Sequence, residues 1–340
     1  MSESTETKTL VADFEEWREV AEEAVKLLQN GEVVALPTET VYGLAADAFN
    51  GEAVAKVFAI KERPSFDPLI VHLGKWRDLG KVANVPEEIR DTVTAITKEF
   101  WPGPLTLVLP KKEEVSDLVT SGLPTVAVRV SAHEVMREVA KKVGAIAAPS
   151  ANRFGRMSPT SASAVQAELG GKIPLIIDGG ACRDGLESTI IKVEPGEPKP
   201  MITILRPGPV SREDLRAFGT VRKAKPGKNE QVEAPGQIES HYAPSAKLVI
   251  REKGKSIEKE EGLRYGLLSY KGENYEEDEW DEVEILSPGS GKLAEAAVRL
   301  FHCLRKLDES GVDVIVADPV SETGVGVAIM DRLRRASADR

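Results

Sequence analysis

The 340-residue chain holds two cysteines, four histidines and few aromatics, 5 % Phe, Trp and Tyr together. Cys182 and Cys303 stand far apart with no CxxC pair, so neither a disulfide framework nor a zinc finger is encoded. That usage suits a reducing cytoplasm. The histidines are scattered and lack metal-ligand spacing. The scarcity of aromatics disfavours a stacking platform for single-stranded nucleic acid. Positive charge is in deficit: 45 Lys and Arg face 55 Asp and Glu, a net charge of -10. A non-specific electrostatic hold on nucleic acid is therefore disfavoured, while a local basic cleft stays open. No apolar run approaches the roughly 20 residues that span a bilayer. The opening stretch MSESTETKTLVADFEEW is polar and acidic, unlike a signal peptide. A soluble cytoplasmic protein is the expectation. There is no GxxxxGK[ST] loop, no Ser-His-Asp spacing and no outstanding carboxylate pair.

Apolar material for real cores is present, at 41 % hydrophobic residues, over a length suited to two domains. Phe14, Trp17, Ala21, Ala24, Val25 and Leu28 recur at helical spacing, and Asn30-Gly31 supplies a stop. Val33 to Leu36 then reads as a buried strand. Helical patterns over 54–60, 87–100, 134–143 and 162–169 alternate with extended ones over 70–73, 105–109, 126–130, 145–148, 175–177, 190–193 and 202–205. This predicts an α/β domain with a mixed sheet over 1–218. Composition shifts near Phe218, and 219–246, with Pro226-Gly227, Pro235-Gly236 and Pro244, reads as a linker long enough to serve as a lid. Strand patterns at 247–250, 265–268, 283–286 and 312–316, with helices at 293–307 and 329–335, predict a small doubly wound domain over 247–340. The acidic run from Glu273 to Glu284 reads as a solvated loop.

Several segments could carry chemistry. Pro37-Thr-Glu-Thr-Val-Tyr-Gly43 follows a strand end, where open α/β sheets place ligands, though an ordinary polar turn would look the same. Lys61-Glu62-Arg63-Pro64 sits past a helix end with Lys56 one turn earlier; it reads either as a cation cluster for polyphosphate or as charges answering the helix dipole. His72 lies in a strand, where a histidine is commonly structural. Pro149-Ser150-Ala151-Asn152 ends a strand before a helix, so Ser158 and Thr160 are either anion contacts or simple caps. Glu187-Ser188-Thr189 opens a strand, Arg206 closes one, and His241-Tyr242-Ala243-Pro244 lies in the linker. Gly289-Ser-Gly-Lys-Leu-Ala294 resembles a dinucleotide turn but lacks the surrounding unit.

Each segment is weak alone; their order is specific. PTETVYGL, KERPxxxPL with IVHL, WPGPLTLVL, TVAVRV, APSAN with SPT, ESTI and ILRPG succeed one another. With PGQIESHYAP and the ending GVGVAIMDRLRRA, the chain resembles the long two-domain threonylcarbamoyl-AMP synthases, whose first domain is of the YrdC type. The resemblance runs from about Phe14 to Ala336. It implies a YrdC-like twisted mixed sheet with a large concave cavity, plus a small Rossmann-like C-terminal domain, and a linker reaching back across the cavity. It also implies condensation of L-threonine, bicarbonate and ATP to L-threonylcarbamoyl-AMP and pyrophosphate. A separate tRNA threonylcarbamoyl transferase complex would use the product, and tRNA would not be needed for this step. Mg²⁺ would accompany ATP with few or no protein ligands.

By the same resemblance, Thr40, His72, Arg129, Ser150 and Ser188 should meet threonine, Arg129 gripping its carboxylate. Lys61, Arg63, Asp67, Thr125, Asn152, Ser158, Thr160, Arg206, His241 and Tyr242 should meet ATP, with Lys61 and Arg63 as the charges that serve catalysis. Asp67 stands where Asn is more usual, and Glu194 to Met201 looks like a small hairpin extension. HYAP is expected to close on the nucleotide and shield a labile anhydride. Two other readings compete. Carbamoyl-adenylate chemistry of the hydrogenase-maturation kind is opposed by the missing zinc-finger cysteines. A double-stranded RNA-binding module lacks any RRM, KH or dsRBD motif.

Overall fold

The computed structural model describes residues 6–13, 15–224, 234–236, 241–252, 255, 257–272 and 280–338. Phe14, parts of the linker and most of the acidic run therefore lie outside the described residues. The strands are β1 (Lys8–Val11), β2 (Val34–Leu36), β3 (Gly43–Asp47), β4 (Ile70–His72), β5 (Leu105–Pro110), β6 (Thr125–Arg129), β7 (Ile146–Ala147), β8 (Leu175–Asp178), β9 (Thr189–Glu194), β10 (Met201–Arg206), β11 (Thr220–Lys223), β12 (Lys247–Ile250), β13 (Tyr265–Ser269), β14 (Glu282–Ile285) and β15 (Val314–Ala317). The helices are α1 (Trp17–Gln29), α2 (Gly51–Lys61), α3 (Arg90–Phe100), α4 (Asp117–Thr120), α5 (Glu134–Val143), α6 (Ala162–Leu169), α7 (Arg212–Leu215), α8 (Leu293–Glu309) and α9 (Gly326–Ala336).

Among the described residues, eleven strands form one mixed sheet in the order β1-β8-β2-β3-β7-β4-β6-β5-β9-β10-β11. Its faces are set by strict alternation. Leu105, Leu107 and Leu109 of β5 and Val126 and Val128 of β6 enter the main core, while Val108 and Ala127 face the other way with Ile70, Ile190 and Leu205. Ala234 of the linker packs on that second face, which is the face that carries the site. At the far side α1 buries Trp17, Ala21, Ala24, Val25 and Leu28 with Val135, Met136, Val139 and Ala140 of α5, over β2 and β8. The helix ends where the stop was expected: Gly31 takes φ 76°, a left-handed turn that glycine adopts without steric cost.

Three strands were not anticipated. The Gly-Ala-rich β3 has poor intrinsic strand preference and is held between β2 and β7 by tertiary pairing. Exposed β1 and β11 show no readable alternation and sit at the two sheet edges. β11 pairs with β10 in parallel, so Thr220 to Lys223, read above as linker, belongs to the first sheet. Residues 195–200 connect the antiparallel β9 and β10, as the hairpin extension required.

The second sheet is parallel throughout, in the order β12-β15-β13-β14. α8 and α9 share one core with Leu248, Leu268, Leu286, Ile315 and Ala317. The opposite face, Tyr265, Val314 and Val316, is covered by Ile257 and Trp280. Helices thus cover one face of this sheet among the described residues, where a doubly wound pattern puts them on both. The α8–α9 core also takes in Val41, Met157, Leu186 and Tyr242, so the two domains and the linker share apolar packing. Arg156–Asp308 at 3.4 Å and Arg305–Glu168 at 3.4 Å add ion pairs across the same seam.

Candidate active site

A cavity with about 50 Å³ of free space lies on the second face of the large sheet. Thr40, Arg63, His72, Arg129, Ser150, Ser188, Arg206, His241 and Tyr242 all line it, from segments far apart in the chain.

The turn after β2 forms one end. Thr38 Oγ1 accepts from the backbone N–H of Thr40 (3.1 Å) and Val41 (3.2 Å) and donates to the Val41 carbonyl (2.6 Å). With that proton committed, Thr40 Oγ1 donates to Thr38 Oγ1 (2.9 Å) and itself accepts from Arg129 Nη1 (2.8 Å). Arg129 ends β6 on the parity of Ala127, which places it on the cavity face. Its Nε donates to the Gly103 carbonyl at 3.1 Å and its Nη2 pairs with Glu39 Oε1 at 2.6 Å. Nε and one Nη1 proton are used in hydrogen bonds, while Nη2 meets Glu39 as an ion pair without an aligned hydrogen bond among the described residues, so N–H donors remain on both terminal nitrogens for a planar anion. Burial pushes Glu39 up, but Arg129, the Ser131 hydroxyl and the Ala132 backbone outweigh it and hold the carboxyl at about 2. Glu39 therefore stays charged, and the guanidinium is fixed from behind. His72 pairs in register with Arg129 on the neighbouring strand. Burial, reinforced by Arg129, lowers His72 to about 3, so it is neutral, and its Nδ1 has no hydrogen-bond partner among the described residues.

Lys61, Arg63 and Asp67 form the other end. Lys61 closes α2, and Glu62 follows in a left-handed conformation (φ 55°). Lys61 Nζ donates to the carbonyls of Ser150 (2.5 Å) and Asn152, tying down the loop after β7. It stands behind the cavity rather than in its lining. Burial, with Arg63 beside it, moves its pKa well below the ordinary lysine value. Arg63 donates to the carbonyls of Asp67 (3.0 Å) and Pro68 (2.8 Å) and pairs with the Asp67 carboxylate at 2.8 Å. Burial raises Asp67 against the opposing pull of Arg63, Lys61 and Arg206. Lys56 turns away, to Glu32 and the Gly31 carbonyl.

The third wall joins two strands of the sheet to the linker. A bulge in β10 sets Arg206 opposite Ile190, and so turns its side chain onto the cavity face. Arg206 donates to the Ser188 carbonyl from Nε (3.1 Å) and Nη2 (3.0 Å), to the Ser188 hydroxyl (3.1 Å) and to the Pro235 carbonyl (3.3 Å). Tyr242 takes φ 66°, a conformation that costs a non-glycine residue about 1 kcal/mol or more. A Cβ on Gly236 would lie 2.7 Å from the Tyr242 hydroxyl, so only glycine fits there. His241 packs edge-on against Phe154 and Tyr242, and burial among Arg63, Lys61, Arg206 and Arg332 keeps it neutral. Pro235, Gly236, His241 and Tyr242 of the linker thus form part of the cavity lining.

The remaining expected residues lie outside the lining. Asn152 donates to the Arg153 (2.7 Å) and Arg156 (2.9 Å) carbonyls, leaving its Oδ1 unpartnered among the described residues. Ser158 donates to Glu187 Oε1. The Thr160 carbonyl accepts from Cys182 N–H (2.9 Å), and α6 is capped by Ser161 rather than by Ser158 or Thr160. Thr125 begins β6 on the face of Ala127 and Arg129. Glu39, Glu187 and Arg332 were given no role, although all are buried and Glu187 lines the cavity. One signal was available for Arg332: with Ile329, Leu333 and Ala336 at helical spacing, it falls on the apolar face of its helix, where a charge needs a buried partner.

Residues 26–208 match the Sua5–YciO–YrdC family model, described as telomere recombination, and residues 210–338 match that described as threonylcarbamoyl-AMP synthase, C-terminal domain. A threonylcarbamoyl-AMP synthase of Pyrococcus abyssi is 42 % identical, over 96 % of this chain and 96 % of that protein. One of Bacillus subtilis is 39 % identical, over 94 % and 93 %. The crystal structure of P. abyssi Sua5 complexed with L-threonine has a TM-score of 0.86 at 39 % identity, covering 98 % of each chain. E. coli YciO, at 19 % identity and a TM-score of 0.50, shares the fold over 63 % of this chain.

Proposed function

The chain belongs to the two-domain threonylcarbamoyl-AMP synthase family, and we propose that its cavity joins L-threonine, bicarbonate and ATP into L-threonylcarbamoyl-AMP and pyrophosphate. The threonine amine and bicarbonate give a carbamate and water. A carbamate oxygen then attacks the α-phosphorus, and pyrophosphate leaves. No covalent enzyme intermediate is needed, so the work falls to positioning and charge. The observation that carries the reading is Arg129, clamped by Glu39, Thr40 and Gly103 with donors to spare on both terminal nitrogens, beside neutral His72 in one buried cavity. The spare donors suit the threonine carboxylate. Thr40, His72, Ser150 and Ser188 surround the rest of the amino acid.

Arg63 and Arg206 supply positive charge for the triphosphate, with Lys61 holding the Ser150–Asn152 loop behind them. The free space is a few waters' worth, so the nucleotide enters as Tyr242 and Gly236 withdraw. The described residues hold no cluster of three or more His, Cys, Asp or Glu fit for a metal ion. Mg²⁺ would arrive on the triphosphate and neutralise part of its charge. The product would pass to a separate transferase that modifies tRNA, and tRNA itself takes no part in this step. A cytoplasmic setting agrees with two buried, unpaired cysteines; no helix among the described residues is long and apolar enough to cross a membrane.

The test is pyrophosphate release from ATP with Mg²⁺ and bicarbonate, with L-threonine, serine or valine added. Release that needs threonine and bicarbonate, with a threonylcarbamoyl-AMP peak, is expected. Valine should be rejected more strongly than serine, because a site that binds the hydroxyl leaves its polar groups unpaired against an analogue lacking it. Release independent of threonine would overturn the reading.

A further inference from the structure

The side chain of Arg332, on α9 of the second domain, is wholly buried, yet it reaches the wall of a cavity built by the first domain. Its Nε donates to Glu187 Oε2 at 2.9 Å and its Nη1 to the Pro207 carbonyl at 2.9 Å. Those two partners are significant by position. Glu187 immediately precedes Ser188, the residue that leads into β9, and Pro207 immediately follows Arg206 at the end of β10. Ser188 and Arg206 line the cavity and are bonded to each other. Arg332 therefore clamps the two chain ends one residue outside that pair. Ser158 holds the other oxygen of Glu187, and the guanidinium carbon lies 5.1 Å from the centre of the Tyr242 ring. The same turn is tight at Gly208, where a Cβ would come 2.4 Å from the Thr189 nitrogen.

We propose that Arg332 is a positioning residue of the synthase reaction: the second domain serves catalysis by stapling the Ser188–Arg206 wall through Glu187 and Pro207. This rests on the synthase reading above and adds to it a role for the C-terminal domain. Within the first domain the Thr189 hydroxyl also ties these ends, donating to the Val210 carbonyl (2.7 Å) and accepting from its N–H (3.0 Å); that tie lies beyond Glu187 and Pro207, so among the described residues Arg332 is the side chain that bonds to both of them.

The full chain is assayed for pyrophosphate release with threonine and ATP varied separately. R332M should raise the KM for threonine about tenfold, the size of effect expected from a displacement well short of 1 Å, at a kcat nearer the wild-type value. A purely structural role would instead lower the folded fraction, and hence the apparent kcat, at unchanged KM; that result overturns the proposal. R332M leaves Glu187 as an unpaired buried charge and is at risk of misfolding. R332M/E187Q measured against E187Q carries the same test without that charge, and an unchanged KM there also overturns it. Threonine titration calorimetry on the wild-type chain reports on the synthase reading alone, whereas the ratio of variant to reference reports on the staple.

Discussion

Two turns in this chain place hydroxyls and glycine just after a strand, one over 37–43 behind β2 and one over 287–292 behind β14. In the first, the hydroxyls of Thr40 and Thr38 form a chain that begins at Arg129, a guanidinium brought by another strand. In the second, the hydroxyls of Ser287 (2.7 Å) and Ser290 (2.6 Å) both donate to Glu295, a carboxylate three residues into α8. Ser287 also accepts from the Lys292 N–H at 2.8 Å. The helix end, a position suited to a phosphate, is thus answered by a carboxylate of its own chain. Similar local composition yields a site in one place and a closed cap in the other. What decides is the charge facing the turn from elsewhere in the fold, which no local motif contains.

The comparison breaks most sharply at Arg129. Arg129→Lys keeps the charge but loses the fork that serves Thr40, Glu39 and an incoming carboxylate together. The KM for threonine should rise by about a hundredfold, since a misplaced charge-assisted pair costs on the order of 3 kcal/mol. The KM for ATP should move far less. Equal changes in both constants would show that Arg129 does not define the amino-acid end.

Acid sensitivity should be the next largest effect. His72 is held at about 3, against an ordinary value of 6.5, by burial and Arg129. Below pH 6.5 the unfolded chain takes up a proton that the folded chain refuses, so stability falls as pH drops from about 6.5 towards 3. His133 and His241 are shifted in the same direction and add to the slope. Glu39 acts in a lower window: its contribution is intact above its ordinary 4.5 and is lost only as pH falls towards about 2. Urea midpoints between pH 6.5 and 5 therefore avoid the Glu39 window, while Asp67 and Asp184, raised by burial, act with the opposite sign to the histidines. His72→Gln should flatten that slope by up to about 1.4 kcal/mol per pH unit. A His72→Gln slope equal to the wild-type slope over this range would contradict a buried, neutral His72.

Much of this fold was legible because alternation and helical spacing are properties of single segments. α5 and α6 fall on the predicted residues, and the parity of Ala127 and Arg129 already assigns the guanidinium to the face opposite Val126 and Val128. Arg206 was not legible in this way. Simple alternation puts it with Ile202 and Ile204 in the core, and only the bulge at Leu205 reverses it. Glu187 and Arg332 lie 145 residues apart, so their pairing is a property of domain docking and not of either segment. β3 illustrates the same limit, since its Gly-Ala-rich sequence becomes a strand only between two others. The motifs name residues that the fold gathers round one cavity; the clamps behind them needed the fold.

The smallest effect is expected at the second turn, and it is the most direct check on the contrast. Glu295→Gln keeps the shape of the cap but removes the negative charge that Ser287 and Ser290 now satisfy. These bonds hold the Glu295 pKa below its ordinary value on an exposed surface, where solvent and salt weaken any charge effect. The KM for threonine and for ATP should both stay at wild-type values, and only a slight loss of thermal stability should appear. Once the carboxylate is neutral, the α8 N-terminus has lost the anion that closes it. Inorganic phosphate should then stabilise the variant slightly more than the wild type in a thermal melt. If phosphate or a dinucleotide already stabilises the wild-type chain through this turn, as a melt compared with and without Glu295→Gln would reveal, the two turns are alike and the distinction between them falls.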